Sequence, residues 1–94
     1  MKAELITATR QEISENAFVE LVIWAVPAPV HGSVHGFKYR LAYVVEGECV
    51  LRYDNEAGKG DHRHTAKTEC RYAFISLAQL LDDFFDDVQN WRSE

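Results

Sequence analysis

The apolar positions of this chain follow two periods. Up to about residue 75 they alternate or run in short β-branched and aromatic stretches, and from residue 77 they recur every three or four residues. Lys2 to Ile13 alternates only loosely, with Leu5 and Thr7 on one side and Ile6 and Ala8 on the other. Rich in Thr and Ile and without a helical stripe, it predicts a solvent-facing or edge strand. Ser14-Glu15-Asn16 is a turn signal. Ala17 to Val26 has aromatic and β-branched residues on both sides and one charge, Glu20, which predicts a central strand. Pro27 and Pro29 end it by removing ladder donors. Val30 to Phe37, with two His-Gly pairs, reads as a loop.

The clearest hairpin is Lys38 to Val45 and Glu48 to Asp54 around the two-residue turn Glu46-Gly47. Counting outward from that turn pairs Tyr43 with Val50, Leu41 with Arg52 and Tyr39 with Asp54. On the opposite face it pairs Ala42 with Leu51 and Arg40 with Tyr53. Cys70 to Ile75 predicts a short last strand. Ser76-Leu77-Ala78-Gln79 then fits a capping box that opens a helix running to about Trp91. Leu77, Leu80, Leu81, Phe84, Val88 and Trp91 form its apolar face, and Asp82, Asp83, Asp86 and Asp87 cover the other side. That acidic side reads as a solvated face or as a docking surface for a basic partner. The expected fold class is α+β: an antiparallel, meander-like sheet of about five strands with one C-terminal amphipathic helix packed on one face.

Ninety-four residues make one domain, residues 1–94, and composition adds little. Cys49 and Cys70 lack metal-type spacing, and the N-terminus lacks the apolar run of a signal peptide. The longest apolar stretch, Leu21 to Val30, holds two prolines and is too short to span a bilayer. The expectation is a cytoplasmic protein with reduced thiols and no membrane contact. Charge changes the picture more. The net charge of −5 speaks against a free-standing nucleic-acid binder, yet Lys38 to Tyr72 holds seven of the ten Lys/Arg and six of the fifteen acids. The middle of the chain is therefore slightly basic and its flanks are acidic.

That basic middle contains Tyr53-Asp-Asn-Glu-Ala-Gly-Lys-Gly-Asp-His-Arg-His64, a stretch no hydrophobic core requires. Gly58-Lys59-Gly60 can turn amides toward an anion while the lysine supplies charge, although P-loop spacing is absent. His62 and His64 at i and i+2 point the same way on an extended backbone and suit general acid–base work. Asp61 or Asp54 would orient one imidazole, while Lys59, Arg63 and Arg40 would stabilise charge on a phosphate. Tyr53 and Asn55 complete the candidate binding residues. These parts match a metal-independent ribonuclease without a cofactor, in which the 2′-hydroxyl of RNA is the nucleophile. Two other readings stand beside it: a divalent-metal site drawing on His62, His64, Asp61, Asp54 and His31 or His35, and a plain turn with exposed histidines. The tryptophans and phenylalanines read as core rather than as a base-stacking platform.

Lys38-Tyr39-Arg40-Leu41-Ala42-Tyr43, then Arg52-Tyr53-Asp54-Asn55-Glu56 and Gly58-Lys59-Gly60-Asp61-His62-Arg63-His64, resemble the TumE family of bacterial toxin–antitoxin toxins. The tail from Phe74 to Trp91 is also similar, so the resemblance spans roughly Leu21 to Trp91. It implies a small cytosolic bacterial toxin bound and neutralised by a helix-turn-helix antitoxin. Ribonuclease activity is inferred from the loop's chemistry, and the N-terminal edge strand leaves room for a homodimer by sheet extension. A non-enzymatic toxin or adaptor that binds a protein is the alternative, along with a metal-dependent phosphodiesterase.

Overall fold

The computed structural model describes residues 2–92. The alternation of residues 4–54 becomes four antiparallel strands: β1 (Glu4–Ser14), β2 (Ala17–Ala25), β3 (Phe37–Val45) and β4 (Glu48–Asp54). Two more follow, β5 (His62–Thr65) and β6 (Glu69–Arg71), and the helix α1 (Leu77–Asn90) closes the chain. The strands form one six-stranded sheet in chain order, an α+β meander with one helix layer. It has one more strand than the rough count of five, because His62–Thr65 is a strand and not the end of a loop.

Burial alternates perfectly along most of β2: Ala17, Val19, Leu21 and Ile23 are buried, while Phe18, Glu20, Val22 and Trp24 are not. Tyr39, Leu41 and Tyr43 on β3 and Leu51 and Tyr53 on β4 continue the buried side, and Leu80, Phe84 and Val88 of α1 seal it. The helix starts as expected, with the Ser76 side chain accepting from the Gln79 N–H. The reciprocal half of the capping box is missing, because the Gln79 amide donates to Asp83. The expected solvated acidic face is also split. Asp82 and Asp86 are exposed, whereas Asp83 accepts from the Tyr72 hydroxyl, and Asp87 accepts from both the Tyr53 hydroxyl and Arg63 Nε. Tyr72 to Ile75 does not continue β6 but leads the chain back over the buried face, with Tyr72 and Phe74 packed against the core.

The counted hairpin register holds only for its first rungs. Glu46 and Gly47 both have positive φ, 51° and 79°, as a two-residue type I′ turn requires, and Val45 faces Glu48. Val44 then faces Cys49, but Tyr43 faces Leu51, so Val50 is a bulge with no partner. The bulge lets the consecutive residues Val50 and Leu51 both bury, which a regular strand forbids. From there on every pair shifts: Leu41 faces Tyr53, and Arg40 faces Asp54 rather than Tyr53. The result is that Arg40 and Asp54 share the face opposite the helix.

Two crossings pin the sheet's ends. At one end Asn16 donates to Glu46, and Glu46 N–H donates to the Asn16 carbonyl at 2.8 Å, joining the β1–β2 and β3–β4 turns. At the other, Gly32 and Gly60 touch backbone to backbone, both with φ near 90°. A Cβ on Gly60 would sit 2.7 Å from the Gly32 carbonyl oxygen, and one on Gly32 would sit 2.4 Å from the Gly60 nitrogen. Gly58 also has positive φ, but nothing lies within 4 Å of its missing Cβ.

Gly60→Ala should therefore cost more than the about 1–2 kcal/mol of left-handed backbone strain that Gly58→Ala incurs. Urea denaturation of the two variants measures the difference. Likewise Asp87→Ala, which strands Tyr53 and Arg63, should lower stability by about 2–3 kcal/mol, while Asp86→Ala should stay within about 0.5 kcal/mol of the parent in the same assay.

Candidate active site

Because β5 is a strand, its residues alternate. Arg63 and Thr65 turn toward the helix layer, and His62 and His64 turn to the open face of the sheet. The ladder then determines their neighbours. One row across the open face reads Val22, Arg40, Asp54, His62 and Arg71, and the next reads Glu20, Ala42, Arg52, His64 and Glu69. The two imidazole centroids are 6.2 Å apart. His62 Nδ1 lies 3.1 Å from the Gly60 carbonyl oxygen, which can only accept, so that nitrogen carries a proton, and Nε2 lies 3.8 Å from Glu69 Oε2. His64 has carboxylates opposite both nitrogens: Asp54 Oδ1 at 3.6 Å from Nε2 and Glu69 Oε1 at 3.5 Å from Nδ1.

The cations around the pair are held by acids of the same face. Arg52 Nε is 2.8 Å from Asp54 Oδ2 but out of line with it, so this buried N–H makes no hydrogen bond. Arg40 approaches Glu20 at 3.8 Å, and Lys59 donates to Glu69 at 3.3 Å. That lysine, ahead of the two histidines, holds the Glu69 carboxyl below its usual range. The face is flat and charged. An open cleft of about 750 Å³, lined in part by Val45, Val50, Thr65 and Trp91, lies on the helix side instead.

A second polar cluster sits on the helix side, at the end of β3. Asp61 accepts from the Ser33 hydroxyl at 2.7 Å, the Tyr39 hydroxyl at 2.7 Å and His35 Nε2 at 2.7 Å. His35 Nδ1 accepts the Phe37 N–H at 3.2 Å, which fixes the tautomer that donates to Asp61, and its ring stacks on Phe74 with centroids 3.7 Å apart. Burial first, and then the bond to Asp61, pushes the Tyr39 phenol far above its ordinary value. Asn55, fully buried, extends the ladder with its side chain: it accepts from the Tyr39 N–H and donates to the Phe37 carbonyl and Ser33. The loop at residues 26–36 is thereby locked to the connection at residues 55–61. His35 belongs to this packed lock, while His31 is exposed.

The twelve-residue stretch is thus divided three ways. His62, His64, Asp54, Arg40 and Lys59 share the open face. Tyr53 and Arg63 lie on the helix side and are tied to Asp87. Burial foremost raises the Tyr53 phenol, and the Asp87 bond foremost raises the Arg63 guanidinium, above their usual values. Asp61 and Asn55 form the lock, Gly60 is buried against Gly32, and Gly58 bends the connection. Sequence reasoning passed over Arg52 and Glu69, although Arg52 two residues before Asp54 on a strand is a legible pairing. Nothing local marked Ser33, Tyr39 or Asp87 as partners. Among the described residues no group of three or more His, Cys, Asp or Glu side chains converges on a metal position, and both cysteines are free, exposed thiols. No helix among them is long and apolar enough to cross a membrane.

Searches of curated proteins and of solved structures returned no match. A family model described as Toxin TumE matches residues 2–92, across all six strands and the helix. That extent includes both the open histidine face and the buried lock, so the chain belongs to the TumE family of toxins, components of toxin–antitoxin systems.

Proposed function

We propose that this toxin is a ribonuclease working on the open face of its sheet, with His62 as general base and His64 as general acid. The observation that carries the reading is the pair of imidazoles 6.2 Å apart on one face of β5, bordered by Asp54, Arg52 and Lys59. The two rings lie on one face of the strand and differ in how they are held. His62 is anchored through Nδ1 to the Gly60 carbonyl, and as a neutral ring it offers the Nε2 lone pair for the base role, beside Glu69 Oε2 at 3.8 Å. His64, flanked by the Asp54 and Glu69 carboxylates without a hydrogen bond to either, takes the donor role in this reading.

In the proposed step His62 takes the 2′-hydroxyl proton and that oxygen attacks phosphorus. The bond from phosphorus to the 5′-oxygen breaks as His64 delivers a proton to the leaving oxygen. The products are a 2′,3′-cyclic phosphate and a 5′-hydroxyl, and no metal or cofactor takes part. Arg40, Arg52 and Lys59 offset the charge that builds on the phosphorane. Asp54 orients His64. Asp61, Asn55 and Gly60 are positioning residues that hold β5 in register, and Arg63 with Tyr53 fastens β5 to the helix.

The family's antitoxin partner is, in this reading, a helix-turn-helix protein that neutralises by covering the open face. The exposed β1 edge, with Leu5, Ile6 and Ile13 each more than 40% accessible, would pair two copies into a homodimer.

His62→Ala and His64→Ala should each reduce RNA cleavage by about 10²- to 10⁴-fold and abolish growth arrest while the thermal unfolding transition persists. If both variants arrest growth as fully as the parent, the assignment is wrong. Asp61→Ala should behave differently, losing about 3 kcal/mol in urea denaturation because three donors, at least partly buried, are left without their acceptor.

A further inference from the structure

The open face carries an indole that the core does not use. Trp91 packs edge-on to Tyr43 at 5.8 Å and belongs to the side chains surrounding the core. Trp24 alternates with the buried residues of β2, so it projects to the open side, half-buried opposite Leu5 of β1, and lies outside that cluster. Among the described residues no aromatic ring or guanidinium stacks on it. Across the ladder it faces Lys38, and the row beside it begins with Val22 and Arg40 and leads through Asp54 to His62. Three strand spacings and two residues of rise separate Trp24 from His62, roughly 16 Å.

Charge on this face runs against that of the whole chain. On β2 to β6 it holds Lys38, Arg40, Arg52 and Arg71 against Glu20, Asp54 and Glu69, and Lys59 reaches in from the connection before β5 to Glu69. The chain as a whole is −5, with Asp82 and Asp86 exposed on the helix layer. A cationic strip that ends in an unstacked indole fits a single-stranded polyanion whose bases have free π-faces. Duplex RNA presents no such face.

We infer that Trp24 is a base-stacking position for single-stranded RNA lying across the open face, with Lys38 and Arg40 on the phosphates between Trp24 and the histidine pair. This rests on the ribonuclease reading for its ligand and names that ligand's class, but it is tested apart from cleavage. The probe is a short 2′-O-methyl oligoribonucleotide, which lacks the nucleophilic hydroxyl and can only bind. In a Trp91→Phe background Trp24 is the sole indole, and its fluorescence should be quenched as the probe saturates.

Trp24→Ala should weaken binding by about 5- to 150-fold, the range of one base–aromatic stack, while Trp24→Phe should retain most of it. The inference is overturned by absent quenching, by unchanged affinity in Trp24→Ala, by failure of the parent to bind the probe, or by equally tight binding of a duplex. Persistent cleavage in the histidine variants would sink the catalytic assignment alone. Unaltered probe binding in Trp24→Ala, alongside lost cleavage in those variants, would sink only the stacking position.

Discussion

Three donors from two segments meet on the Asp61 carboxylate, and the placement of β5 depends on that meeting. Ser33 and His35 come from the loop that leaves β2, and Tyr39 comes from β3. The residue carrying the carboxylate directly precedes His62. Without this fixed point, the connection after β4 would be a polar, glycine-containing span with no apolar contact to hold it. The sheet beyond β4 would then rest on short ladders alone. A buried carboxylate is costly unless its oxygens are satisfied, and here each has a hydrogen-bond donor. Asn55 makes the same kind of contribution with a neutral group, substituting its amide for one more rung of backbone.

The molecule separates its polar residues by function through strand alternation. On β5, a single step along the chain moves from an imidazole on the open face to a guanidinium bound under the helix. The helix layer carries the acidic excess, and two of its aspartates are consumed in holding Tyr53, Tyr72 and Arg63. The opposite face keeps the cations. Net charge, a sum over both sides, therefore describes neither surface, and the local field is what a charged ligand meets.

Much of this was legible in the sequence. The hairpin turn, the amphipathic helix with its Ser76 cap and the central position of β2 all follow from local residue patterns and turn chemistry, which short-range sterics determine. The histidines' common face also followed from their spacing, although their strand was read as a loop. Its residues are polar on both sides, so no hydrophobic alternation announced it. The lock was not legible, because its members are separated by up to 28 positions and meet only once the loops are placed. His35 looked like part of a mobile loop for the same reason. The register error had a narrower cause. Counting assumed an unbroken ladder, and the adjacent pair Val50-Leu51 was the sign that one residue had to step out of it.

That bulge has a consequence for how the protein tolerates change in length. Each strand residue carries a phase, inward or outward, and Val50 resets it by one for everything downstream on β4. Losing Val50 itself would leave a regular ladder, with Val44 still facing Cys49 and Tyr43 still facing Leu51, whereas losing Arg52 would turn Tyr53 to the open face and Asp54 toward the core. Single-residue changes of length in this hairpin should therefore collect at the bulge or at the Glu46-Gly47 turn, where the sheet's two faces keep their residues.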